Sequence, residues 1–344
     1  MEIINSSVRI IDYEAQEILL RDIPDSFESF VRELISHIHT NASVREYKTR
    51  SVATEVIGSI LQIIERKEDA DFVLNRVNGI ATRLLSKEIE AQKRVARMNT
   101  NVQKGSLVQA LLFDEEDNSY LYLLAKVEHT DFVDDYDFSF KTGFSKDKKT
   151  IWKSCIIEIA DVDSSVFYAK IYTNTVANYW GNDFLELDQV HSDEVNTSNA
   201  FRAIDGTLNR NMRGQFQRDH TIIRNAFISY FKNNEHIDFP TMVESILGNY
   251  DPVDLPVEKL NSIKEKMLTL PQTKNFDSQF NTVKSAINAR IKRVYPVNDG
   301  IELKITDGIE DLANTIKAFR DDDGTRYIQI KTNNEETFQK FKTQ

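Results

Sequence analysis

At Gly105 the spacing of apolar residues changes from the period of a helix to the period of a strand, and after about residue 190 it changes back. Strands that follow strands, with no alternation of strand and helix, exclude a doubly wound parallel sheet and predict an α+β fold. Ahead of the change, residues 8–12 and 17–20 flank the bend Tyr13-Glu14-Ala15 and predict a small hairpin. Phe27, Phe30, Val31, Leu34, Ile35 and Ile38 recur at helical spacing behind Asp25 and Ser26, which are good cap residues. Two more helices are expected over 52–64 and from Val73 to Leu84, the latter running on into a basic stretch up to Arg97. Residues 106–113 and 120–127 then read as strands joined by the solvated turn Asp114-Glu115-Glu116-Asp117-Asn118, with further strands at 152–159 and 166–172. The expectation is helices packed on an antiparallel sheet over residues 1–188.

Residues 189–344 are expected to form a mainly helical domain that ends in a small antiparallel β element. Phe216, Ile223, Phe227 and Tyr230 share a helical face, and helices over 242–247 and 257–268 start behind Pro240 and Pro256. Phe276, Phe280, Val283, Ile287, Ile291 and Val294 follow one another at helical spacing, which predicts an amphipathic helix ending at Pro296. Strands return at 301–305, 315–319 and 327–331, the last two joined by Asp321-Asp322-Asp323-Gly324.

Length allows about two domains in 344 residues. No apolar run is long enough to span a membrane and the first residues lack the pattern of a signal peptide, so a cytoplasmic protein without a membrane partner is expected. The lone Cys155 excludes an intramolecular disulfide and a zinc site built on several thiolates. A net charge of −11 argues against indiscriminate binding to nucleic acid. The charge is uneven, however: windows 83–104, 141–153, 202–232 and 284–293 each carry a surplus of four positive charges. Solvated helix faces produce such windows too, but a fold that gathers them could hold a polyanion.

The common phosphate-loop, dinucleotide, zinc-protease, nucleophile-elbow and calcium-loop motifs are absent. His37 and His39 lie two apart in an expected helix and point to different faces, and no cofactor or metal site is expected. Two acidic and lysine patterns, Asp323 with Gln329 and Lys331 and Asp299 with Glu302 and Lys304, have the order used by Mg-dependent nucleases, but both are weak matches without an obvious second carboxylate and are read as solvated faces of half-exposed hairpins. The more informative group is Arg210, Arg213, Gln217, His220 and Arg224. Its 3, 4, 3, 4 spacing would make one stripe of hydrogen-bond donors on a continuous helix, unless Gly214 breaks the register.

The order of elements resembles the bacterial nucleoid-associated protein family typified by YejK and NdpA. The resemblance rests on the segment with Phe280, Val283 and Ile287, then Pro296-Val297-Asn298-Asp299-Gly300, then Ile301-Glu302-Leu303-Lys304-Ile305, and a final hairpin ending in Tyr327-Ile328-Gln329-Ile330-Lys331. The strand from Gly105 to Phe113 with its partner, and the segment containing Glu235-His236-Ile237-Asp238-Phe239, add to it. The resemblance implies binding of double-stranded DNA on the nucleoid, without catalysis. A homodimer, and a DNA-processing or phage-defence protein as a further partner, are compatible with it. The expected phosphate contacts are Arg202, Arg210, Arg213, Gln217 and Arg224, the cluster Lys93, Arg94 and Arg97, and Lys284, Arg290, Lys292 and Arg293. The alternatives are a Mg-dependent nuclease using the C-terminal hairpin and an acidic protein-interaction adaptor.

Overall fold

The computed structural model describes residues 1–20, 25–95, 105–133, 136–144, 151–173, 179–288, 293–309 and 311–342. The chain is α+β and falls into two units, Met1–Ser192 and Asp193–Gln344. Among the described residues no helix is long and apolar enough to cross a membrane.

The first unit is built on a nine-stranded antiparallel sheet. Its strands are β1 (Glu2–Asp12), β2 (Glu17–Leu19), β3 (Arg45–Thr49), β4 (Gly105–Asp114), β5 (Ser119–Val133), β6 (Phe140–Phe144), β7 (Ile151–Ile159), β8 (Tyr168–Thr173) and β9 (Leu187–Gln189). They lie in the order β2-β1-β4-β5-β7-β8-β3-β9, with β6 paired to the far end of β5. Alternate side chains explain why β4 and β5 are nearly continuous apolar runs. Leu107, Leu111, Tyr122 and Leu124 face helices α2 (Glu55–Glu65) and α3 (Ala70–Val95), whereas Val108, Ala110, Leu112, Leu121 and Leu123 face α1 (Asp25–His39). A strand with a helix layer on each side has no wet face, so its sequence loses the polar alternation of a half-exposed strand. In this unit β3, β6 and β9 escape the sequence reading. β3 and β9 are short and polar, and Arg45–Thr49 becomes a strand only because Tyr47 and Lys48 find β8 on one side and β9 on the other.

The second unit wraps helices α4 (Asp193–Asn211), α5 (Gln217–Asn233), α6 (Phe239–Leu247), α7 (Val257–Leu268) and α8 (Leu270–Lys274) around a core containing Phe201, Phe227, Phe231, Phe239 and Phe280. Asp238 caps α6 by accepting from the Thr241 N–H at 3.0 Å, with Pro240 in the first turn.

The expected amphipathic helix from Phe276 onward does not exist. The segment holds strand β11 (Gln279–Asn281), paired with β10 (His236–Asp238), then a 3₁₀ turn Lys284–Ile287, and later β12 (Arg293–Asn298). The physical cause lies in α4. The Asp277, Asn281 and Val283 N–H groups donate to the side chains of Asn196, Asp193 and Thr197 at 2.8–3.1 Å, so these amides are satisfied without a helix. Phe280 and Ile287 are buried and Lys284 and Asn288 exposed, as the apolar spacing requires, but Val283 is only half-buried. Phe276, Phe280 and Ile287 therefore reach the core from a loop, a strand and a 3₁₀ turn, whereas Val294 in β12 is exposed. The chain ends in two hairpins, β12 with β13 (Ile301–Ile305) and β14 (Ile316–Arg320) with β15 (Arg326–Ile330), then a helix Glu335–Phe341. Phe319 and Tyr327 stack at 5.1 Å on the exposed last hairpin.

Candidate nucleic-acid interface

The stripe expected on one continuous helix is split between two. α4 ends at Asn211, Met212 accepts the backbone N–H groups of Gln215 and Phe216, and α5 begins at Gln217, so Gly214 lies in the turn. The turn folds the stripe into a pocket. Arg213, Gln217, His220, Arg224 and, from β12, Arg293 line a cavity of about 330 Å³.

Two of these residues are not the solvated donors that the spacing implies. Arg224 is 6% exposed, its Nε donating to Asp205 Oδ1 at 2.5 Å, and its guanidinium lies 5.9 Å from the Phe201 ring. His220 is also buried, with Nε2 donating to Asn209 Oδ1 at 3.0 Å, while Asn209 Nδ2 donates to Asp205 Oδ2 at 3.2 Å. The connected set His220, Asn209, Asp205 and Arg224 clamps α5 to α4. Arg213 and Gln217 are exposed, and Arg293 is partly exposed with Nη2 3.9 Å from Asp205 Oδ1. Burial, then the positive charge of Arg224, lowers the His220 pKa below its ordinary value; Asp205 opposes this, and Arg293 and Arg213 add to it. The pocket is thus electropositive and holds a neutral imidazole at neutral pH.

Arg202 and Arg210 lie on a neighbouring face of α4, where with Asn199, Gly206 and Lys274 they line a second cavity of about 330 Å³. The other expected contacts are dispersed. Lys93 and Arg94 stand at the end of α3 in the first unit, where Arg94 pairs with Asp183 at 3.0 Å. Lys284 is exposed at the start of the 3₁₀ turn. Arg97, Arg290 and Lys292 lie outside the described residues. The nuclease-like patterns fall on two different hairpins, and Asp323 accepts from the Thr325 N–H of its own turn at 2.8 Å.

Sequence reading missed Lys274, for which no signal existed, and the place of Arg293, whose basic window was visible but whose partner surface was not. It also missed a buried charged group in the first unit. Glu88 on α3 pairs with Lys126 on β5, both almost fully buried, and Lys153 on β7 lies 5.2 Å from the Tyr179 ring. Burial and then the charge of Glu88 push the Tyr179 hydroxyl well above its ordinary pKa. No protein-family model and no curated protein matches this sequence.

Proposed function

We propose that the second unit binds duplex DNA through its phosphates, without a catalytic step, in the cytoplasm on the bacterial nucleoid. One observation carries this reading: the guanidiniums of Arg213, Arg224 and Arg293 converge from a turn, a helix and a strand on one pocket beside a single carboxylate. Guanidiniums offer paired donors that match phosphate oxygens, and Gln217 adds a neutral donor at the start of α5. The pair Arg202 and Arg210, with Lys274, supplies contacts on a neighbouring face of α4. An acidic chain with such islands binds where its charge is concentrated rather than over its whole surface.

The reading includes a homodimer, because among the described residues β14 and β15 pair only with each other and expose Phe319, Tyr327, Ile328 and Ile330. Two copies of the basic surface would add avidity. A DNA-processing enzyme, including one acting against phage, is the kind of protein such a module would serve. The test is an electrophoretic shift with duplex DNA over a salt series, beside light scattering at micromolar concentration. A shift that weakens steadily with salt, from a dimer, is expected. No shift at the lowest salt would remove the DNA reading, and plasmid cleavage in Mg²⁺ that disappears in Lys331→Ala would overturn its non-catalytic part.

A further inference from the structure

The pocket holding Arg213, Arg224 and Arg293 is concave, and this shape selects among phosphates. Its donors come from three elements: Arg213 from the turn, Gln217 and Arg224 from α5, and Arg293 from β12. A phosphodiester inside a duplex strand has a nucleotide on each side, one charge and two free oxygens. It can lie across a convex ridge, but both neighbours must clear the rim before it reaches the floor of a recess. A terminal phosphomonoester has one neighbour, three free oxygens and a charge of about −1.5 to −2 at pH 7. Three guanidiniums against the one carboxylate of Asp205 leave two positive charges in excess, which matches that dianion.

The surroundings match what such a group is attached to. The pocket adjoins a larger cavity of about 700 Å³, where Leu303, Ile316, Ala318 and Ile328 stand among Arg218 and Lys317, and Tyr295 and Leu312 border both. Tyr295 is exposed, and an aromatic face at such a border suits the base of a nucleotide. A volume of 330 Å³ falls at the lower end of the usual range for ligand sites. A cationic recess beside a cavity that offers apolar side chains fits a phosphorylated nucleoside better than a bare anion.

We infer that this pocket receives a nucleoside phosphomonoester end-on, with the phosphate among Arg213, Gln217, Arg224 and Arg293 and the base beside Tyr295. The inference rests on the DNA reading only for the source of the group, which is either a 5′-phosphorylated DNA end or a free nucleotide. On the first source the protein attaches to ends in preference to the interior of a duplex.

Fluorescence anisotropy with a short blunt duplex, once with 5′-phosphates and once with 5′-hydroxyls, tests it, with AMP as competitor. The expected result is about tenfold tighter binding of the phosphorylated duplex, the effect of about one additional charge-assisted contact. AMP should displace it. Arg293→Ala and, more weakly, Tyr295→Ala should bring the two duplexes together. Equal affinity for the two duplexes in the unaltered protein, with no competition by AMP, would overturn the inference while leaving DNA binding intact. Calorimetric binding of AMP by a protein that binds neither duplex would support the pocket chemistry, assign it to a free nucleotide and remove the DNA reading. Because these two outcomes come from the unaltered protein, a variant that fails to fold does not obscure them.

Discussion

Lys126 with Glu88 in the first unit and Arg224 with Asp205 in the second are both ion pairs drawn out of water, yet they are enclosed to different degrees. The first pair is closed: both side chains are 3% exposed or less, and helix and sheet cover them. The second is open on one side, with Asp205 23% exposed and Arg224 lining a pocket that also holds Arg213 and Arg293. A closed pair fixes how α3 lies on the sheet and, with Lys153 on β7 buried beside Lys126, keeps its charges away from solvent. An open pair fixes α5 on α4 and, because its neighbours are cations, presents a surplus of positive charge. The difference separates a charge that organises a core from a charge that can meet a ligand.

The largest effect is expected at the closed pair. Removing one partner leaves the other charged and buried, a loss of about 3–5 kcal/mol, whereas replacing both with apolar groups of similar volume is close to neutral or stabilising. Lys126→Met should therefore lower the denaturant midpoint of the first unit strongly, and the double variant Lys126→Met with Glu88→Leu should restore most of it. A loss below about 1 kcal/mol in the single variant would mean that water reaches the pair and would erase the contrast.

Next comes Asp219, a carboxylate held in the second unit by neutral donors. It accepts from the Tyr250 hydroxyl at 2.6 Å and from the backbone N–H groups of Val253, Asp254 and Leu255 at 2.7–2.9 Å. Burial pushes its pKa up, but these four hydrogen bonds outweigh it and the pKa is lowered. Asp219→Asn turns an NH₂ group toward donors and should cost about 2–3 kcal/mol. A folded-state pKa below the unfolded value gives stability that is complete above about pH 4 and is lost as pH falls through the folded pKa. Acid unfolding followed by circular dichroism should show that slope in the native protein and a shallower one in the variant.

Much of this was legible in the sequence, and the failures have a common cause. Helix α7 occupies 257–268 as the pattern behind Pro256 predicts, because its periodic residues all belong to one element. Phe276, Phe280 and Ile287 have helical spacing but belong to separate elements, and only the side chains of Asp193, Asn196 and Thr197, about 80 residues earlier, decide this. The site divides in the same way. Arg213, Gln217 and Arg224 are visible as a spacing, but the burial of Arg224 by Asp205 and the arrival of Arg293 from β12 depend on contacts that no local pattern encodes.

The open pair gives a smaller effect, read in affinity. Arg224 is poorly suited to a binding test, since its removal strands Asp205 and loosens α5. Arg213→Ala with Arg293→Ala removes two cations that lie nearer to solvent. The slope of log affinity against log salt should become shallower by about 1.8, from about 0.9 per contact. The loss should be similar for duplexes of unrelated sequence. An unchanged slope in the folded double variant would move the phosphate contacts to Arg202, Arg210 and Lys274 on the neighbouring face of α4.

The smallest expected effect belongs to His220, and it tests whether the pocket is open to anions at all. Burial first, and then the arginines around it, lower its pKa, with Asp205 opposing. As pH falls below about 6.5 the unfolded chain takes up this proton before the folded protein does. Stability in the second unit should therefore decline between that pH and the lower folded pKa, and His220→Asn should remove the decline. A phosphate in the pocket offsets Arg213, Arg224 and Arg293, so the folded pKa should rise when AMP is added. The imidazole resonances of His220 followed by NMR over pH 5–8 read this directly. Titration that shifts upward with AMP marks a pocket in which the open pair and its neighbours face the ligand. Titration that ignores AMP would make His220 and Arg224 a closed clamp between α4 and α5, no different in kind from Glu88 and Lys126.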